Sequence, residues 1–269
     1  AGQSFGVVKY TEGKEEFDIS MPRQDSRGEG DNVHRSIIAT NDASLTPMEA
    51  SLRRDFTFNA LMYDPLEGNI IDHHGGVEDI EDGVIRIVDA DTFTDDPLRV
   101  LRGVQFAGRF NFEMDEESVA LCRSMTWEGL AKERVAGEIH KMLTKSRNLH
   151  QGVSTLHEVG WTGAVPGLDR NLDNPLDQEI VDDISSLRNH DDAVGLVASL
   201  MDHHYGDGDG ALSSSLMLTG RQRRVFNVMR VQDASDVVAA SRMRRFLHGK
   251  GLDQSMLEKM SSSVGVQAA

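Results

Sequence analysis

Two segments near the start of the chain alternate apolar and polar residues with the period of a strand: Ser4-Phe5-Gly6-Val7-Val8-Lys9-Tyr10 and Glu16-Phe17-Asp18-Ile19-Ser20-Met21, with Gly13 between them. This pattern predicts a hairpin. In its second strand Phe17, Ile19 and Met21 fall on one face and Asp18 on the other, because successive strand side chains alternate. Gln24 to Val33 is polar, contains glycine and has no apolar periodicity, which predicts a loop. Thr46-Pro47-Met48-Glu49 has the form of a capping box with proline at the first helical position, and predicts a helix leading into Arg53. Asn69-Ile70-Ile71-Asp72 predicts a short strand, Gly75-Gly76 a turn, and Ile85-Arg86-Ile87-Val88 the last strand of this part of the chain.

From Asp95 the period becomes helical. Asp96 and Pro97 read as N-cap and first helical residue, followed by Leu98, Leu101 and Val104 to Phe106 at helical spacing. Asp115-Glu116-Glu117 opens a second helix with acidic residues where the macrodipole favours them, and Leu121, Cys122 and Met125 line its apolar side. A third helix from Lys132 carries Val135, Ile139, Met142 and Leu143 on one face, with Glu133, Arg134 and Glu138 placed elsewhere. Leu156 to Trp161 reads as a helix end and Pro166 to Pro175 as a loop. Tyr205 to Ser215, rich in Gly, Asp and Ser, reads as a flexible connection, and 221–250 as one or two helices.

Composition alters this picture little: 39% hydrophobic and 27% charged residues over 269 positions suit a globular chain with one or two cores. No apolar run approaches the roughly 18 residues of a membrane span, and no charged-then-apolar leader is seen, so the cytoplasm is the expected compartment. Cys122 is the single cysteine, which excludes an internal disulfide and a cysteine-rich zinc site, and it is expected to be buried and inert. Charge matters more. The net charge of −16 argues against a nucleic-acid partner, yet Arg221, Arg223, Arg224, Arg230, Arg242, Arg244, Arg245 and Lys250 stand against only Asp233 and Asp236 in 221–250. That local excess is either a solvated helix face or a surface for a phosphate backbone.

Candidate chemistry centres on Asp96 and Arg99, three residues apart at a helix start, with Arg102 one turn on. A carboxylate beside a guanidinium accepts at one end and donates at the other. Cytosine and adenine present an amino donor beside a ring-nitrogen acceptor, whereas uracil and guanine present a carbonyl beside an N–H, so the pair suits C and A. From spacing alone it is equally a capped helix with an ion pair. Upstream, Arg53-Arg54-Asp55 beside Phe56, Phe58 and Asn59 suits a triphosphate and ribose: guanidinium binds phosphate bidentately, and Asp55 and Asn59 bond sugar hydroxyls. The phenylalanines read as core. Adjacent His73 and His74 lack a third ligand at suitable spacing and read as loop residues. Asp202-His203-His204 stands without the further His and His-Asp residues that a metal site would need.

Four stretches in order, Arg53–Ala60, Ile71–Gly76, Asp95–Arg99 and Glu133-Arg134, resemble the successive motifs RRDxxxNA, ID…GG, EDxxR and ER of the class II tRNA nucleotidyltransferase and poly(A) polymerase family, with Asp95 in place of the usual Glu. The resemblance covers roughly residues 1–145. It implies that Arg53, Arg54, Asp55, Asn59, Asp96, Arg99 and Arg102 bind the nucleotide, that Asp72, Asp95, Glu133 and Arg134 support them, and that Asp18 is a catalytic carboxylate and metal ligand for Mg²⁺. Two further family motifs, Gly-Gly-x-Val-Arg-Asp and Asp-x-Asp, do not precede the hairpin in this sequence. The expectation is therefore a head without its first strands, inactive alone, since one Asp cannot hold two metal ions.

The expected fold is α+β: an incomplete nucleotidyltransferase head with a mixed sheet (1–90), a helical neck that recognises the base (91–149), and a helical body and tail that bind RNA (150–269). The resemblance implies an RNA nucleotidyltransferase that adds CCA to the tRNA 3′ end from CTP and ATP. Arg221, Arg223, Arg224, Arg242, Arg244 and Arg245 are the residues expected on the RNA backbone. A poly(A) polymerase and a non-catalytic RNA-binding relative are the alternatives.

Overall fold

The computed structural model describes residues 7–27, 37–170, 190–206 and 208–229, with 172, 173, 175, 176, 178, 181 and 182 between them. The chain divides into two compact units, Ala1–Arg99 and Val100–Ala269. Small two-stranded sheets occupy the first and helices most of the second, the mixed α+β character expected.

In the first unit β1 (Val7–Glu12) and β2 (Glu15–Ser20) form the predicted hairpin around Gly13, whose φ of 64° is a left-handed turn conformation open to glycine. Lys9 stands opposite Asp18 and Tyr10 opposite Phe17, so Val8, Tyr10, Phe17 and Ile19 share one face, and all four are exposed. β3 (Arg23–Arg27) and β4 (Ile37–Asn41) pair antiparallel. This corrects the loop expected from Gln24 onward: the strand is made by a ladder to a distant segment, which the polar run itself does not signal. Residues 28–33 of that expected loop lie outside the described residues.

The capping box opens α1 (Pro47–Ser51): the Glu49 amide donates to Thr46 Oγ1 at 3.3 Å and the Thr46 amide to Glu49 Oε2 at 2.8 Å. A 3-10 turn (Thr57–Asn59), the hairpin of β5 (Met62–Asp64) and β6 (Asn69–Ile71), and α2 (Gly76–Asp82) follow. β7 (Val84–Ile85) is shorter than the strand expected to reach Val88; beyond it the chain is tied by the Thr57 amide to Arg86 O at 2.9 Å and the Val88 amide to Asp55 O at 3.3 Å. The short α3 (Ala90–Phe93), capped by Asp89, leads to α4 (Leu98–Phe110), which starts in this unit and continues into the second. Phe56, Ile85 and Phe93 are fully buried, with the Phe56 ring stacked on Phe58 and edge-on to Phe93 at 5.7 Å.

The second unit continues through β8 (Glu113–Met114), α5 (Glu116–Ser124), α6 (Lys132–Lys145), α7 (Leu149–Glu158), α8 (His190–Tyr205), α9 (Ala211–Ser215) and α10 (Gly220–Met229). Leu101, Ile139, Met142, Leu149, Leu156, Trp161 and Phe226 are buried in it. Glu138, placed by its sequence away from the apolar face of α6, is buried: it sits three residues from Val135 and one from Ile139, inside that stripe, and Lys141 Nζ covers its Oε1 at 2.8 Å. The flexible connection expected after Tyr205 contains α9, because the buried Asp202 carboxylate accepts the amides of Gly210 and Leu212 at 3.0 Å each and so starts a helix from a distance. α8 and α10 touch at Gly195, where an added Cβ would meet Gln222 O at 2.6 Å. Among the described residues no helix is long and apolar enough to cross a membrane.

Candidate functional site

The residues singled out around position 55 and around position 97 meet within the first unit. Asp55 is buried, and its Oδ1 accepts the Phe56 amide at 3.0 Å and Asn59 Nδ2 at 2.8 Å, so the carboxylate and the amide four residues on are locked together across the 3-10 turn. Thr57 Oγ1 donates to the buried Asp79 Oδ2 at 2.6 Å, and Arg86 Nε to Asp79 Oδ1 at 3.2 Å, which fastens the same turn to α2. Asp79 was not picked out from sequence, since an acidic residue in the first turn of a helix is ordinary. Arg53 is half-buried and Arg54 exposed.

Arg99 reaches across to this segment. Its Nη1 donates to Thr92 O at 2.6 Å, its Nη2 to Arg53 O at 2.8 Å, and the guanidinium carbon lies 6.0 Å over the Phe93 ring. Asp96 Oδ1 accepts the Leu98 amide at 3.2 Å, the capping role its place before Pro97 implied, and Asp95 beside it is half-buried. Arg102 lies one turn further along α4, in the second unit, with its guanidinium 5.4 Å over the Phe106 ring. Glu133 and Arg134 are exposed in the first turn of α6.

Asp72 turns out to be a helix starter. Its oxygens accept the amides of His74 at 3.1 Å, Gly76 at 3.0 Å and Val77 at 2.9 Å, collecting donors that the first turn of α2 leaves open. Desolvation pushes its carboxyl up, but the amides of Val77, Gly76, His74 and Gly75 together outweigh that and hold it below the ordinary 3.8. Gly76 has no room for a side chain, since an added Cβ would lie 2.4 Å from Thr57 O. His74 Nε2 is 2.7 Å from Ser51 Oγ, which itself lies 2.6 Å from Met48 O. Desolvation and the neighbouring His73 lower its pKa from 6.5.

Asp18 lies apart on the exposed β2, with Lys9 Nζ 3.8 Å from its Oδ1. Among the described residues no group of three or more His, Cys, Asp or Glu is placed to hold a metal ion. One exposed carboxylate paired with a lysine does not make a metal site, so no chemical step is assigned through an ion. In the second unit Arg221 forms a bidentate pair with the buried Asp192, Nε to Oδ1 and Nη2 to Oδ2 at 3.1 Å each, while Arg223 and Arg224 are exposed. Arg242, Arg244 and Arg245 lie outside the described residues. Cys122 is buried as expected, its thiol pushed up to about 12 by desolvation and then by Asp115.

Residues 1–86 match the poly A polymerase head domain. The multifunctional CCA protein of Stenotrophomonas maltophilia (strain K279a) is 34% identical over 228 residues, which is 77% of this chain and 54% of that protein. The chain thus spans about half the length of the curated relatives it matches. The crystal structure of the Bacillus stearothermophilus CCA-adding enzyme in complex with CTP superposes with a TM-score of 0.62 at 18% identity, covering 97% of this chain and 62% of that one. A tRNA nucleotidyltransferase complexed with a primer tRNA and an incoming ATP analogue gives 0.59 at 19%, covering 96% and 77%. These two likenesses concern the fold, and sequence identity over most of the chain carries the relationship: the chain belongs to the class II CCA-adding enzyme and poly(A) polymerase head-domain family.

Proposed function

We propose that this chain selects the nucleotide and holds the RNA in a tRNA nucleotidyltransferase that adds C, C and A to tRNA 3′ ends from CTP and ATP. The observation that carries the reading is the hold of Arg99 on the main chain of Arg53: it joins the candidate base-reading pair to the candidate triphosphate-binding arginines within one compact unit. A guanidinium has more N–H groups than two carbonyls use, and among the described residues the rest of those on Arg99 make no hydrogen bond, so it retains donors for a ring nitrogen. Asp96, at the head of the same helix, is the acceptor for the amino group of C or A. Arg53 and Arg54 take the phosphates, and Asn59, held by Asp55, the sugar. Mg²⁺ is the cofactor the family resemblance implies, but Asp18, exposed and paired with Lys9, does not by itself make a site for it, and no step is derived through the ion. The cytoplasm, where tRNA is processed, is the compartment that goes with it.

The match of residues 1–86 to a poly A polymerase head keeps a second reading, addition of A alone. The test is nucleotide binding to the 269-residue chain and to Asp96→Ala, with CTP, ATP, UTP and GTP. Preference for CTP and ATP that shrinks in Asp96→Ala supports the proposal, an undiminished preference removes Asp96 from base selection, and binding of ATP without CTP favours the poly(A) reading.

A further inference from the structure

Thr92 lies at the centre of a closed set of hydrogen bonds joining three segments of the first unit. Its hydroxyl donates to Leu52 O at 2.7 Å, and its carbonyl accepts Arg99 Nη1 at 2.6 Å. Arg99 Nη2 then donates to Arg53 O at 2.8 Å, and Arg53 follows Leu52 in the chain, so the circuit closes. Thr92 is itself fixed, because its amide donates to Asp89 Oδ2 at 2.8 Å in the cap of α3. Among the described residues the other acceptor near the hydroxyl, Asp89 O, is at 3.5 Å, too far to compete with Leu52 O. Two anchor points on a planar guanidinium set its plane, and the Phe93 ring at 6.0 Å covers one side. Without the Thr92 hydroxyl the Leu52–Arg53 segment loses its side-chain tie to α3 and keeps the backbone bonds of the Leu52 amide to Glu49 O at 3.3 Å and the Arg54 amide to Ser51 O at 2.9 Å, so the Arg53 carbonyl is held less firmly where it meets Arg99.

We infer that Thr92 is a positioning residue for nucleotide selection: it touches no nucleotide, but it sets the orientation of the Arg99 guanidinium against the strand of backbone that presents Arg53 and Arg54. The selection part of this inference rests on the reading of Arg99 as the group that meets the base. The orientation part does not. Valine keeps the branched shape of threonine and removes the donor, and serine keeps the donor.

The experiment uses the 269-residue chain with Thr92→Val, Thr92→Ser and Arg99→Ala, alone and with Thr92→Val and Arg99→Ala combined, and measures the ratio of UTP to CTP dissociation constants. Loss of one hydrogen bond acting through Arg99 should reduce that ratio by about three- to tenfold in Thr92→Val. Thr92→Ser should retain it, and Thr92→Val should add nothing once Arg99 is alanine. If Arg99→Ala abolishes discrimination while Thr92→Val leaves it intact, the inference is overturned and the base-reading role of Arg99 stands. If Arg99→Ala leaves the ratio unchanged, the base-reading role itself falls, taking the selection part with it. The orientation is read separately from the NMR signals of the Arg99 guanidinium protons without nucleotide: slow exchange in the wild-type chain and Thr92→Ser with fast exchange in Thr92→Val supports the circuit, and fast exchange in the wild-type chain overturns it even if a Thr92 variant does not fold.

Discussion

The Arg99 guanidinium donates to the main-chain carbonyl of Arg53 at 2.8 Å, across 46 positions of sequence. Backbone recognition of this kind ties two motifs together whatever side chain stands at position 53. It also separates the structural from the functional use of the two arginines: Arg99 spends two N–H groups on carbonyls, while the Arg53 side chain is left to its own neighbours.

Arg99→Ala should therefore cost stability as well as nucleotide discrimination. Removing both donors leaves the Thr92 and Arg53 carbonyls short of partners in a half-buried setting, a loss of about 1–3 kcal/mol. Arg99→Lys has one ammonium where two fork-like donors stood, and should recover only part of either property. Urea unfolding of the three chains measures the first effect and CTP against UTP affinity the second; full recovery by lysine would show that the fork geometry is not used.

Gly76→Ala is a sharper test of the fold around the candidate site. The obstacle is a backbone oxygen, Thr57 O at 2.4 Å from the new Cβ, and backbone in the middle of the Asp55–Asn59 turn cannot step aside without breaking the Asp79 and Asp55 bonds. Overpacking of this type costs about 1–3 kcal/mol. A thermal midpoint equal to that of the unchanged chain would show that the turn and α2 are not packed as described.

Acid should loosen the first unit in two stages. The pKa of His74 is lower folded than unfolded, so its contribution is complete above 6.5 and is lost as pH falls through the depressed folded value. That of Asp72 is also lower folded than unfolded, so its contribution is complete above 3.8 and disappears as pH falls below that through its own folded value. Midpoints measured from pH 8 to 3 on the unchanged chain and on His74→Gln should diverge just below 6.5, with the glutamine variant showing the flatter curve. Parallel curves would mean that His74 carries no proton linkage.

Much of this was legible because it is local. The capping box at Thr46, the turn at Gly13, the cap at Asp115 and the buried face of α6 follow from residues within one helical turn or one strand of each other. What could not be read depends on partners far along the chain: β3 needs β4, α9 needs Asp202, and Thr92 gains its importance from Leu52 and Arg99. The motif residues were visible as types, but not which of their atoms are spent on structure. Asp72 is used as a cap on α2, and Arg221 as a partner for Asp192.

That last distinction sets the prediction for RNA. Arg221 is bound through two nitrogens to a carboxylate that is only 1% exposed, whereas Arg223 and Arg224 project from the exposed side of α10, where among the described residues their side chains make only a long 3.4 Å bond, from Arg223 to Leu218 O. Asp192 in turn favours the charged form of Arg221, through hydrogen bonds and then charge. Taking one arginine away from a phosphate should flatten the salt dependence of tRNA binding by about 0.7–0.9 in log–log slope. Reversing charge at Arg223 and Arg224 should thus flatten the slope measurably, as should reversal at Arg244 and Arg245. Arg221→Ala should instead lower the unfolding midpoint, because it strands a buried carboxylate, and leave the slope nearly unchanged; adding Asp192→Asn should restore part of the lost stability by removing that charge. A slope that moves with Arg221→Ala as much as with Arg223→Glu would put Arg221 on the RNA despite its partner, and a slope indifferent to all of these changes would leave the basic stretch as a solvated helix face.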